Sequence, residues 1–137
     1  MEISALLDSI LHFGAYFGAS LVFLVVFKFA YTFVTPHDEL KLIKEDKNTA
    51  AAIGFGGAVI GFSIALSGAA SNSVSLVDFV TWGIIALIAQ LLAFALVRFF
   101  FLPLIVERIQ SNEVSAGTIL GATSIAVGLL NAACMTY

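Results

Sequence analysis

The chain has 137 residues, of which 61% are hydrophobic and 11% charged, and its mean hydropathy is +1.07. Soluble domains carry about a quarter charged residues, so a water-facing surface cannot be built from this composition and lipid must solvate most of the molecule. The net charge of -3 says little, but the chain has no basic patch for nucleic acid, and the lone Cys134 excludes an intrachain disulfide.

A spanning helix needs roughly 20 apolar residues, because each adds about 1.5 Å against a hydrocarbon core of about 30 Å. Four segments meet that length: Leu11 to Val34, Thr49 to Ala70, Val77 to Pro103 and Val114 to Met135. Strands of a transmembrane barrel are half as long and alternate strictly, which these segments do not. The stretch before the first span holds Glu2 and Asp8 and no basic residue, so it does not read as a cleaved signal. The expected fold is an all-α membrane protein of four transmembrane helices, arranged as two hairpins, 1–70 and 71–137, that together make one membrane domain.

The first span contains Gly14 and Gly18 at GxxxG spacing near one end and is otherwise bulky, with Phe17, Phe23, Phe27, Phe29 and Phe33. The third is similar, with Phe94 and the run Phe99 to Phe101. These two are expected to form the exterior, facing lipid or another subunit. Tyr16, Tyr31, Trp82 and Tyr137 fall near span ends, where amphipathic rings anchor at the interface. The second and fourth spans differ in kind. Gly54, Ala58, Gly61, Ala65 and Gly68 make one small-residue stripe, with Gly57 beside it, and Gly117, Gly121, Ser124, Gly128 and Asn131 make another. Apolar helices gain nothing by hiding from lipid, so close backbone approach along such stripes is what joins them. The alternative is that Ser63, Ser67, Thr123, Ser124 and Asn131 line a water-filled path in an oligomer, although no ring of charge or carbonyl filter accompanies them.

All six basic residues fall toward one side. Lys41, Lys44 and Lys47 lie in the first linker and Arg108 in the third, while Lys28 and Arg98 sit inside spans but nearer those linkers. The positive-inside rule then places both linkers in the cytoplasm and both termini outside it. Lys28 lies roughly 12 Å of helix before Pro36, and Arg98 roughly 7.5 Å before Pro103, both within snorkelling reach. They read as orienting charges that touch lipid phosphate, or as a cytoplasmic anion or lipid-headgroup site completed by Asn48 and Asn112. The bland reading of the two asparagines is N-capping.

The chain also reads as a tandem repeat. A shift of 64 lays Asn112 on Asn48, Gly121 on Gly57 and Ala122 on Ala58, and a shift of 70 lays Asp78 on Asp8, Arg98 on Lys28 and Phe99 on Phe29. Each unit crosses the membrane twice, so the copies would be parallel repeats related by an axis along the membrane normal. Gln90 is the deepest polar group of the third span and is expected to bond a neighbouring helix. Ser75 followed by Asp78 is a capping signal. His12 and His37 lie toward opposite sides and cannot share a metal. The alternating charges from His37 to Lys47, with Leu40 and Ile43, and the segment Leu104 to Ile109, which continues the third helix past Pro103, suit a membrane surface or a cytoplasmic protein partner.

The run from Asn48 through Ala50, Ala51 and Ala52 to Gly54, then Asp78, Trp82, Gly83 and Arg98, and finally Glu107 to Asn112 leading into Ser115, Ala116 and Gly117, resembles the YjfL-like bacterial inner-membrane proteins. That family is built on a domain of unknown function, and the resemblance covers nearly the whole chain. It implies a bacterial inner-membrane location and carries over no catalytic residue. No nucleophile stands beside a base and no phosphate-cradling loop is present, so the expectation is a non-enzyme without metal or cofactor. Two functions suit such a chain: a homo-oligomeric scaffold or anchoring subunit among membrane lipids, or a small channel lined by the second and fourth helices.

Overall fold

The computed structural model describes residues 2–135, so Tyr137, expected to be an interface anchor, lies outside the described residues. Six α-helices follow in order among them: α1 (Ile3–Val34), α2 (Glu39–Lys44), α3 (Thr49–Asn72), α4 (Leu76–Leu96), α5 (Ile105–Gln110) and α6 (Val114–Ala133), with a π-helical segment Val97–Phe101 extending α4. Four of these, α1, α3, α4 with its π extension, and α6, are long and apolar enough to cross a membrane. The helix α1 begins well before Leu11. Glu2 and Asp8 make that arm more polar than the span, but it contains no Gly or Pro to break a helix, and the helix runs through it from Ile3.

Two ends bear on the sequence expectations. The third helix does not continue past Pro103. It slackens into the π segment, in which Leu102 N–H reaches back five residues to Val97, and α5 then starts afresh at Ile105. Proline lacks an N–H and its ring collides with the preceding turn, so the chain must re-enter helix beyond it. At the other end of α4 the capping signal holds. The Ser75 hydroxyl accepts from Asp78 N–H at 3.1 Å, and Asp78 accepts from Val74 N–H at 2.9 Å.

The centre of the bundle is the pair α3 and α6. Ala50 lies against Gly117, Gly57 against Gly121, Gly61 against Ser124 and Gly68 against Ala132, so the contact climbs both helices together and they run in the same direction. A methyl group at Gly57, Gly61, Gly117 or Gly128 would collide with the facing backbone, and one at Gly121 would stand 2.7 Å from Ile53 O. Gly54 is looser, facing only the tip of Leu120 at 3.0 Å. The helix α4 is tied to this pair by hydrogen bonds. Gln90 Nε2 donates to Ser124 O at 2.6 Å, and Asn131 Nδ2 donates to Ala86 O at 3.1 Å.

The helix α1 packs outside this core, and its own chain buries only Phe23, Phe27 and Tyr31. These recur every four residues and form one edge. Phe27 stacks on Phe62 at 4.7 Å, Phe23 meets Phe79 at 5.8 Å and Tyr31 meets Phe94 at 6.2 Å. Phe23, Phe27 and Phe94 are therefore interior rather than exterior, and Tyr31 is buried rather than an interface anchor. The reason is complementarity. Small-faced helices leave gaps that rings fill, and Gly83 on α4 leaves the space that the Phe23 ring occupies. Phe17, Phe29, Phe33 and the run Phe99 to Phe101 face outward as expected.

Candidate functional site

The two linkers share a backbone plan. Each has a six-residue helix, then a residue with positive φ (Lys47 at 50°, Asn112 at 60°), then the next span. Left-handed backbone is uncommon for residues other than glycine, so both turns are tightly determined. They are also bonded to one another. Asn48 Oδ1 caps its own helix through Ala51 N–H at 2.9 Å, while its Nδ2 donates to Ile109 O, in α5, at 2.7 Å. Asn112 does not cap α6. Its Oδ1 accepts from Ala50 N–H at 3.0 Å and so satisfies the first turn of α3, while Glu113 takes the cap position of α6. The left-handed turn at Asn112 aims its side chain across the interface, which spacing along the sequence could not reveal.

Lys28 and Arg98 are not brought to these asparagines. Each half-buried cation lies over the ring that follows it, Lys28 Nζ at 4.1 Å from the centre of Phe29 and Arg98 Cζ at 5.6 Å from that of Phe99. Such contacts contribute about 0.5–1 kcal/mol at exposed sites. Of the groups expected at an anion site, only the two asparagines form a common structure, in which both amide oxygens and the Asn48 Nδ2 bond within the chain.

The most unusual chemistry lies at the start of the first linker. After Thr35 and Pro36 the chain turns back into the bundle, and His37 and Glu39 are each 2% exposed. His37 Nε2 and Glu39 Oε1 are 2.8 Å apart. The His37 ring packs on Phe94 at 6.0 Å, and Tyr31, packed between Phe55 and Phe94, brings its hydroxyl beside the same carboxyl without closing to ordinary hydrogen-bond geometry. Three polar atoms in this one cluster, Tyr31 OH, His37 Nδ1 and Glu39 Oε2, are buried without a hydrogen bond. Burial pushes the Glu39 carboxyl above its ordinary range, the neighbouring His37 pulls it back only partly, and the Asp38 charge adds to the rise. Buried polar atoms are nearly always bonded, so three together mark a place where the chain retains unspent hydrogen-bonding capacity. The sequence offers only a histidine and a glutamate two apart after a proline, a weak signal amid alternating charges.

Two recesses open on the flanks. One of about 640 Å³ runs along α4 and the C-terminal part of α6, with Trp82, Leu92, Phe99, Leu130 and Asn131 on its walls. A smaller one of about 250 Å³ lies between α1 and α3 and holds Ser63 and Ser67. Ser124 is buried elsewhere, with its carbonyl bonded to Gln90. The polar residues that could have lined one path thus belong to separate faces of the chain.

A bundle of four apolar helices with short connecting segments and no extramembrane domain among the described residues defines a small polytopic membrane protein. The family described as Domain of Unknown Function (DUF350) matches residues 5–135, and the chain belongs to it. It is 46% identical over 132 residues to the UPF0719 inner membrane protein YjfL of Escherichia coli strain K12, covering 96% of this chain and 98% of that protein. The protein of the same name from Escherichia coli O157:H7 matches to the same extent. No solved structure matches. The chain is an inner-membrane protein of a family with no assigned activity.

Proposed function

We propose that the chain is a non-enzymatic scaffold or anchoring subunit that associates with further copies of itself through α1. The observation that carries this reading is the surroundings of its glycines. Those of α3 and α6, Gly56 apart, are consumed by contacts inside one chain, whereas a methyl group added at either glycine of α1, Gly14 or Gly18, would meet nothing within 4 Å. A GxxxG face allows close helix approach in lipid, and α1 is the helix its own chain covers least. The likeness of the two linkers supports the reading of two tandem hairpins, and the basic residues support cytoplasmic linkers with both termini outside. A channel is the weaker reading, because Ser63 and Ser67 stand apart from Ser124 and a path would have to be assembled between chains.

The test is Gly18→Leu, with mass measured by light scattering in mild detergent and by native mass spectrometry. The substituted chain should keep its helix content and fall to a smaller assembly. An unchanged assembly would contradict the α1 interface. Cytoplasmic protein partners would dock on the exposed charges of α2, Lys41 and Lys44.

A further inference from the structure

We propose that Tyr31, His37 and Glu39 form a proton-binding site that latches α2 onto the bundle, holding the first linker docked when the site carries its proton and loosening it when the proton leaves. The latch lies within one chain and does not depend on how, or whether, copies associate.

Glu39 opens α2 and is the only residue of that helix that is fully buried. Its carboxyl is buried beside His37 and Tyr31, whose rings pack on Phe94 of α4, so α2 stays docked as long as that carboxyl stays inside. The titratable groups facing it are Tyr31 from α1 and His37 and Asp38 from the linker, while α3 and α4 contribute the apolar rings Phe55 and Phe94. No Lys or Arg is paired with it among the described residues; its ion-pair partner there is His37. When protonated, the Glu39 carboxyl can donate to His37 Nε2 across the 2.8 Å between them, and the pair is neutral. Without that proton the pair places a net negative charge among aromatic rings, which burial opposes.

The sign follows from linkage. Burial raises the Glu39 carboxyl in the docked state above the value it has once α2 is released into water. The docked state therefore binds the proton more tightly. Its advantage is complete below the ordinary glutamate range and is lost as pH rises through the raised value. Between those limits the released population grows as pH rises.

The experiment places a spin label at Lys44→Cys in a Cys134→Ser background, in vesicles of phosphatidylethanolamine and phosphatidylglycerol, and follows label mobility from acid to mildly alkaline pH. A mobile fraction that rises with pH, and stays low at every pH in Glu39→Gln, supports the latch. A mobility that is flat with pH, or that titrates identically in Glu39→Gln, overturns it. Infrared spectroscopy of the unsubstituted protein keeps the question open to test should Glu39→Gln not fold. A protonated-carboxyl band lost over the range where α2 loosens supports the site, and its absence from the docked protein overturns it.

Discussion

The two linkers have nearly the same backbone and opposite chemistry. The second docks α5 with Ile105 and Ile109, both fully buried, and leaves its charges, Arg108 and Glu113, paired at the surface. The first docks α2 with Glu39, buried beside His37, and keeps Leu42 and Ile43 only partly covered. An apolar anchor holds at any pH, because nothing in it titrates. A buried carboxyl holds only while its charge is neutralised. Similar geometry thus gives one permanent attachment and one conditional attachment, and the asparagine bonds between the linkers connect the two.

Exchanging the chemistry breaks the comparison most severely. Ile109→Asp would put a carboxyl where no histidine awaits it, on top of the roughly 2–5 kcal/mol that removing most of a buried isoleucine costs. Thermal unfolding in detergent should show a drop large enough to threaten folding at neutral pH, with partial recovery in acid. Equal tolerance of carboxyls at the two linkers would erase the distinction. Asn112→Gly sharpens it more gently. Glycine preserves the positive φ but deprives the buried Ala50 N–H of its acceptor, and leaving such a donor unpaired should cost about 1–3 kcal/mol. That loss should be the same in acid and alkali, unlike the loosening of α2.

Much of the fold is legible in the sequence. The four spans follow from length and hydropathy, and the small-residue stripes of α3 and α6 from spacing alone, because lipid rewards close packing and little else. Gln90 bonds a neighbouring helix as its depth demands. The aromatic edge of α1 is not legible, since rings every four residues look the same whether they face lipid or protein, and hydropathy cannot choose between the two solvents. Tyr31 suffers the same ambiguity. Its position near a span end suits an anchor, and only the return of the chain after Pro36 encloses it. Asn112 has the spacing of a cap for its own helix and instead serves α3, because one left-handed residue redirects the side chain. The His37 and Glu39 cluster is the least visible of all. Each residue is ordinary in a charged linker, and what makes them unusual is burial by three other helices.

Deuterium uptake by α2 and α5, measured in one sample across pH and corrected for the intrinsic rate, tests the central contrast most directly, since each linker serves as the other's control. Protection of α5 should stay constant while protection of α2 falls as pH rises. Parallel behaviour of the two helices would contradict that contrast.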